Sequence, residues 1–383
     1  MSDPDPLAGS PLFREIQRIL MAGSGPVNWE LARQVGIATV AGSGEDAEPS
    51  AEEHRVLEEA VRMSEIALSD ATGIPSPALQ VRAIRRSGWV EEGTTSLRPL
   101  FEPLAARVSA LLSEARREGP EVPPEGAPMM EAMLGQLSPL LMGAQVGTVL
   151  GHLGQGALSG FEVPLPREGP AGALFVVPNL AAFEREWSLG PLELRTWVAL
   201  HETAHALTLG RDWVAPHIQH VLGELAQGMD FDLAGLEARM AGLDPTDPAA
   251  LSEALGDPSE LFGGEPSDER RLLIRRFQSF LAAAEGHADH LVGVAGRRRL
   301  PTFDRIQEAM RRRHEGRSEE ERIVERLFGL PADPEPYRLG RAFCAKVAEL
   351  TDEPTLARMW GSADSLPSYP ELEEPSLWLA RMA

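Results

Sequence analysis

Residues 197–207 are predicted to form a buried helix, because apolar and small residues flank the motif His-Glu-Thr-Ala-His at positions 201–205. His201 and His205 lie four positions apart, and on a helix two such side chains point the same way. That pair can hold a zinc ion, and Glu202 can then take a proton from a zinc-bound water, as in metallopeptidases. The alternative is a pair of core histidines satisfied by hydrogen bonds, which would need several buried partners.

A catalytic zinc needs a third protein ligand, and the residues directly after His205 do not supply one. The metzincin pattern requires Gly and His three and six positions after the second histidine, where this chain has Thr208 and Arg211. Glu285 is the better candidate, because it follows an alanine-rich stretch in another helical segment. The sequence therefore predicts that a second helix crosses behind the first and contributes Glu285.

Asp289 follows Glu285 by one helical turn, and this Glu-x-x-x-Asp pair resembles the second metal helix of the gluzincins. The resemblance implies that Glu285 coordinates zinc and that Asp289 accepts a hydrogen bond from a ligating histidine, which fixes the imidazole tautomer. His287 and His290 compete for the ligand role. At two and five positions from Glu285 they lie off its face of the helix, which favours surface or hydrogen-bonding roles for both.

Further segments match a known family in the same order over roughly residues 80–383. They are residues 86–90, 177–179, Phe183 and Glu184, 197–205, Trp213, His217, 285–288, 337–340, Phe343, 366–367, Pro375 and Trp378. Together they resemble a bacterial family of zinc metallopeptidases of undefined substrate, some labelled as hydrolases or as associated with deazaflavin-coenzyme biosynthesis. The resemblance implies a mainly α fold with a zincin-like metallopeptidase core and one zinc per chain.

Three polar residues are candidates for contact with a substrate or with the oxyanion of a tetrahedral intermediate. His217 lies in the matching segment after the metal helix, and Tyr337 with Arg338 can donate to the oxyanion or hold a substrate carboxylate. The alternatives are a surface histidine near a helix start and a tyrosine packed with its hydroxyl at the surface. The spacing does not decide between these roles.

The composition is that of a sizeable soluble enzyme, with 383 residues and 43% hydrophobic content. A net charge of −22 argues against nucleic acid as a partner, since phosphate binding needs a basic surface. The N-terminus has no basic region followed by an apolar core, which indicates a cytoplasmic protein. Cys344 is the only cysteine, and its neighbours predict an inert buried thiol.

Residues 139–158 form the one stretch that resembles a membrane span, but Gln145, His152 and Gln155 interrupt it. Glycines at 143, 147 and 151 recur every four residues, which lets another helix backbone approach closely. The stretch therefore predicts a buried, tightly packed helix and no membrane association.

The chain is predicted to divide into three parts. Residues 1–49 form a flexible segment with one short helix, residues 50–130 a helical scaffold that begins with Ser50 as a cap, and residues 131–383 the metal-binding domain. Residues 161–165 and 174–177 predict a short β-hairpin, which either faces an extended substrate or forms a surface flap. Residues 242–268 predict a loop or small lid over the site.

Two classes of function remain open. The first is a zinc-dependent hydrolase, a metallopeptidase or amidase that acts on a peptide or small amide through water activated by Glu202. The second is an inactive zincin-like protein that keeps the metal as a structural staple or uses its groove to bind a partner. The glutamate at position 202 and the lack of cysteine ligands favour the first. Substrate and oligomeric state are not specified.

Overall fold

The computed structural model describes residues 25–76, 78–118, 127–167, 169, 172–228, 267–316 and 335–383. Those residues are mostly helical, with a short two-stranded sheet, so the predicted mainly α class is confirmed. The strands are β1 (Gln80–Ile84) and β2 (Gly172–Val176). The helices are α1 (Trp29–Ala41), α2 (Ala51–Thr72), α3 (Arg86–Ser96), α4 (Arg98–Glu118), α5 (Ala127–Gly156), α6 (Val177–Glu186), α7 (Pro191–Leu209), α8 (Val214–Gln227), α9 (Asp268–Gly296), α10 (Phe303–Glu315), α11 (Glu335–Leu350), α12 (Glu353–Ala357), α13 (Tyr369–Glu373) and α14 (Pro375–Met382).

The start of α2 is fixed by a capping box. The Ser50 side chain accepts from the backbone N–H of Glu53, and the Glu53 side chain accepts from the backbone N–H of Ser50. Gly73 ends the helix with φ +70°, a left-handed conformation that glycine adopts without strain. The predicted capping role of Ser50 is confirmed.

Helix α1 lies within residues 1–49, which the sequence predicts to be flexible. It buries Trp29, Ala32 and Val40 against the rest of the protein, so the folded body begins before Ser50. The reason is the partner helix α5, whose surface accepts α1 closely. The short helix expected near residues 12–21 lies outside the described residues, and the division into three domains stays a prediction.

Helices α1 and α5 pack through the predicted stripe of glycines. A Cβ atom on Gly151 would lie 2.5 Å from Cβ of Thr39 and 3.0 Å from the backbone oxygen of Gly36. On Gly143 or Gly147 it would collide with the backbone at the start of α1. The close approach therefore requires glycine, and the prediction of a tightly packed helix is confirmed. Among the described residues, no helix combines the length and apolar character needed to cross a membrane.

The predicted β-hairpin is wrong. Strand β2 pairs in parallel with β1, from Gln80 opposite Gly172 to Ile84 opposite Val176. Residues 161–165 form no strand, and residues 158–160 instead run antiparallel along the other edge of β2, with one bridge from Ser159 to Phe175. Local patterning identified β2, but it cannot reveal a partner strand that lies some ninety positions earlier in the sequence. Because both edges of β2 are engaged, β2 offers no free edge to an extended substrate.

Helices α7 and α9 lie at the centre and contribute to both groups of buried apolar side chains. Helix α11 packs on α9 so closely that a Cβ on Gly286 would lie 2.5 Å from the backbone oxygen of Gly340 and 2.7 Å from the backbone nitrogen of Arg341. The crossing of α9 and α11 at Gly286 therefore fixes the position of Glu285, the preceding residue on α9. The loop predicted at residues 242–268 lies outside the described residues, apart from its last two positions, where α9 begins.

Candidate metal centre

Helix α7 buries every residue from 197 to 209, which is the buried helix expected for the motif. The ring of Trp197, one turn before His201, stacks on that imidazole with centroids 5.3 Å apart. The ring of Phe161 lies at the same distance from His205. Aromatic neighbours therefore fix both imidazoles, whose planes lie nearly perpendicular with centroids 4.5 Å apart.

Helix α9 brings Glu285 between the two histidines, as the sequence predicts. Its Oε1 atom lies 3.3 Å from Nε2 of His201, and its Oε2 atom lies 3.3 Å from Nε2 of His205. One ligand atom from each of the three residues lies within 4.8 Å of the others. All three side chains are buried, and only His201 and Glu285 keep a small exposed fraction, at 7% and 5%.

The charges in this group are coupled. Burial opposes the charged form of His201, yet attraction by Glu285 outweighs it and raises the pKa of His201. Burial and the neighbouring His201 lower the pKa of His205. For Glu285, burial favours the neutral acid, but His201 and His205 outweigh it and hold its pKa well below the usual value. The arrangement therefore favours a carboxylate beside two imidazoles, of which His205 is the less easily protonated.

Glu202 is fully buried and accepts two backbone hydrogen bonds. Its Oε1 atom accepts from the N–H of Phe161 at 2.7 Å, and its Oε2 atom accepts from the N–H of Leu174 at 3.1 Å. Burial raises the pKa of Glu202, and these two donors only partly offset the effect. The carboxylate thus joins α7 both to β2 and to the segment beside it.

Gly160 is the point at which that segment meets Glu202 and Arg167. A Cβ on Gly160 would lie 3.0 Å from Oε2 of Glu202 and 2.7 Å from Nη1 of Arg167. Arg167 donates to the backbone oxygen of Gly160 at 2.6 Å. A side chain at position 160 would therefore displace the guanidinium of Arg167 and crowd the carboxylate of Glu202.

The three predicted ligands suit a metal ion. Both ring nitrogens of His205 are buried without a hydrogen-bond partner, which costs free energy unless something else binds there. Two imidazole nitrogens and one carboxylate are ligands that zinc accepts, and three protein ligands leave a fourth position open. A cavity of about 20 Å³ lies beside His201 and Glu285, which is room for about one water molecule. The residues therefore fit a zinc ion of the catalytic type.

Asp289 does not make the predicted hydrogen bond to a histidine. Its carboxylate pairs with Arg341 of α11 at 2.6 Å and acts on His201 only through charge at longer range. Burial, followed by repulsion from Glu285, raises the pKa of Asp289 to about 6. The sequence spacing placed Asp289 near the site, but it could not show that α11 supplies an arginine to it.

His287 and His290 make hydrogen bonds outside the group of three ligands. Nδ1 of the buried His287 accepts from the indole of Trp360 at 3.1 Å, and Nε2 of His290 lies 2.8 Å from Oε1 of Glu353. Burial, with nearby positive groups, lowers the pKa of His287 to about 3. These contacts agree with the hydrogen-bonding role predicted for both histidines.

The three candidates for substrate contact are not drawn into the ligand group. His217, on α8, contacts the ring of Trp213 with centroids 5.9 Å apart. Arg338 is exposed and pairs with Glu335 on its own helix. Tyr337 is partly buried against the apolar core. Their predicted roles at an oxyanion stay predictions that these contacts do not support.

The sequence reasoning missed the segment that holds Glu202. The predicted hairpin includes Phe161 and Arg167 but gives neither a role at Glu202, and Gly160 lies outside it. In the structure Phe161 donates to Glu202, Gly160 approaches it closely, and the charge of Arg167 attracts it. The available signal was the Ser-Gly-Phe sequence at 159–161, where a glycine lies a few residues after the end of an apolar helix. Such a glycine often marks a close backbone approach.

Comparison with known proteins agrees with this geometry. A solved structure described as a "putative hydrolase with a novel fold" from Chloroflexus aurantiacus superposes with a TM-score of 0.62 at 24% identity, covering 93% of this chain and 98% of that one. That likeness concerns the fold. No curated protein sequence matches the chain. The family model described as zincin-like metallopeptidase matches residues 27–379, nearly the whole length. The chain therefore belongs to the zincin-like metallopeptidases.

Proposed function

We propose that this protein is a zinc-dependent peptidase or amidase with His201, His205 and Glu285 as ligands and Glu202 as general base. The observation that carries the proposal is the convergence of those three ligand side chains in one buried group. Glu202 is the residue after the first ligand, on the same helix. One zinc per chain is expected, because the ligand group uses one set of three side chains.

Zinc bound by these residues supplies a Lewis acid that polarises a carbonyl and makes water more acidic. Glu202 accepts two backbone N–H groups and a side-chain hydrogen bond from Ser159, which leaves about one lone-pair position of the carboxylate to accept a proton. Glu202 can take that proton from the attacking water and pass it to the leaving nitrogen. The two backbone bonds hold the carboxylate in one orientation during both transfers.

A structural metal is the second candidate. Two observations favour it: both Glu202 oxygens already bind backbone, and the cavity at His201 and Glu285 has a volume of only about 20 Å³. In that case the ion would join α7 to α9, and Glu202 would anchor residue 161 and β2. The test must therefore separate loss of catalysis from loss of the fold.

The experiment measures zinc stoichiometry and hydrolysis of a peptide library by the wild type, Glu202→Gln and Glu202→Asp. For an enzyme we expect one zinc per chain, cleavage by the wild type, and loss of cleavage in Glu202→Gln with zinc retained. His205→Ala is the matched control, since it removes a ligand and both zinc and activity should fall. A wild type that binds zinc and cleaves no library member would favour the structural metal.

Circular dichroism and urea unfolding of each variant accompany the assay. Glu202→Asp keeps the negative charge on a side chain that is one methylene shorter. If Glu202 is a base, the ratio of lost activity to lost stability should therefore differ between Glu202→Asp and Glu202→Gln. If activity in the two variants at position 202 simply follows the fraction of folded protein, Glu202 has no role as a base.

A further inference from the structure

A second cavity, of about 300 Å³, lies on the other side of Phe161 from the smaller one. Phe161 lines both, and Leu174 lines the larger. These are the two residues whose backbone N–H groups donate to Glu202. The larger cavity therefore adjoins the segment and strand that hold Glu202. Arginines 82, 167 and 211 line it, together with Glu92 and Asp212.

Two of these arginines, Arg167 and Arg211, make no direct ion pair with a carboxylate in the described part of the chain, although Glu202 and Glu92 attract Arg167 at longer range. Arg167 donates only to neutral oxygens, at 2.6 Å to the backbone of Gly160 and at 3.1 Å and 3.2 Å to the hydroxyl of Ser96. Arg211 has a buried Nε atom with no hydrogen-bond partner. Arg82 differs, because it pairs with Glu92 at 2.5 Å.

Unpaired guanidinium groups stand out in this protein, because acidic residues outnumber basic ones by 58 to 36. Other arginines that are largely buried have found carboxylates, as Arg195 has Glu184 at 2.8 Å and Arg313 has Glu162 at 2.7 Å. A guanidinium taken out of water without a counter-ion is costly. Arg167 has only the longer-range attraction of Glu202 and Glu92 to offset this cost, and the partly buried Arg211 has a buried Nε without a partner. Both side chains would therefore gain from an anion bound directly in the cavity.

We infer that this cavity binds a carboxylate of the substrate through Arg211 and Arg167. Guanidinium groups bind carboxylates through paired, charge-assisted hydrogen bonds, and a cavity of this size admits a side chain or a chain terminus. The inference rests on the proposed peptidase function and specifies its substrate class: peptides with a free C-terminus or with an acidic residue near the cleaved bond. The rest of such a peptide would leave the cavity past Phe161, toward the metal centre.

The test compares four probes on the zinc-loaded, full-length chain by titration calorimetry. They are an acetylated penta-alanine with a free C-terminus, the same peptide as its amide, an amide with glutamate at the central position, and inorganic phosphate. Mass spectrometry checks that each peptide stays intact, and KM replaces Kd for any that is cleaved. The variants are Arg211→Gln and Arg211→Glu, with Arg185→Gln as a control, since it removes the same charge from an exposed site on α6.

We expect one of the two acidic peptides to bind at least about tenfold more tightly than the neutral amide, the gain typical of a charge-assisted pair. A C-terminal source is indicated if the free acid is preferred, and an acidic side chain if the glutamate peptide is preferred. Arg211→Gln should remove the preference, Arg211→Glu should reverse it, and Arg185→Gln should retain it.

Equal binding of all three peptides, or an acid preference that survives in Arg211→Gln, would overturn the inference. Tighter binding of phosphate than of either acid would also overturn it, by showing a phosphate site. An intact acid preference in a protein that cleaves no member of the peptide library would remove the peptidase proposal and leave the carboxylate site in place. Hydrolysis at equal rates with and without a substrate carboxylate would support the peptidase proposal and remove the carboxylate site.

Discussion

The crossing of α9 and α11 allows a sharp prediction for Gly286→Ala. The new methyl would lie 2.5 Å from the backbone oxygen of Gly340 and 2.7 Å from the backbone nitrogen of Arg341. Ordinary contact needs about 1 Å more, and neither obstacle is a side chain that can rotate away. The two helices must therefore separate, which weakens the packing of the fully buried Phe343 and Val347 on α11.

Overpacking of this kind costs about 1–3 kcal/mol, and sometimes more. Alanine returns up to about 1 kcal/mol through its better helix propensity. Gly293→Ala is the matched control, because it lies on the same helix with nothing within 4 Å of the new methyl. It should stabilise the protein by about 0.5–1 kcal/mol; because both variants gain the same propensity, they should differ by the overpacking cost alone, about 1–3 kcal/mol.

The assay is urea unfolding of both variants in the presence of chelator, followed by zinc titration of each. Gly286 is adjacent to Glu285, so a shift of α9 should also weaken zinc binding in Gly286→Ala and leave it unchanged in Gly293→Ala. Equal free energies of unfolding for the two variants would refute the packing argument. A destabilised Gly286→Ala with normal zinc affinity would refute the link from the crossing to the ligand.

Four further predictions concern the site and its surroundings. Glu202→Gln should lower the free energy of unfolding by about 1–3 kcal/mol, because the side-chain NH2 would face one of the two backbone N–H groups that now donate to Glu202 and leave it without an acceptor. An unchanged urea midpoint would contradict this. Zinc at about 1,000 times its Kd should stabilise the wild type by about 4 kcal/mol and not stabilise His205→Ala, as differential scanning calorimetry would show. Burial raises the pKa of Cys344, so a thiol reagent should label it only after unfolding, and rapid labelling of the native protein would count against the packing of α11. Asp289 has its pKa raised to about 6 on folding, so its contribution to stability is greatest below its unfolded pKa of 3.8 and is lost as pH rises through 6. Relative to Asp289→Asn, the chelated wild type should therefore lose up to about 3 kcal/mol between pH 4 and pH 7 in urea unfolding, and a constant difference would refute the shift.

The local features of this fold were predictable from the sequence wherever one helix carries the whole signal. The capping box at Ser50, the glycine stripe at 143–151 and the paired imidazoles of α7 each depend on spacing within one segment. The placement of Glu285 was also predictable, because an E-x-x-x-D pair on a second helix is a recognisable partner for such imidazoles.

Contacts between distant segments were not predictable in the same way. Strand β2 has the same apolar pattern whether it pairs with residues 161–165 or with β1, so periodicity could not choose its partner. The pairing of Asp289 with Arg341 depends on how α11 crosses α9, and nothing in either helix alone states that angle. The hydrogen bonds from Phe161 and Leu174 to Glu202 could not be predicted for the same reason.

The two backbone bonds to Glu202 bear on how sequences of this family are interpreted. Under the proposed function Glu202 would serve two separate ends, proton transfer and the anchoring of residue 161 and β2, and only the second is independent of catalysis. A descendant that had lost all turnover would still be penalised for replacing this glutamate. In a relative with the same anchoring we therefore expect the His-Glu-x-x-His motif to persist even without turnover, so the motif alone does not establish enzymatic activity.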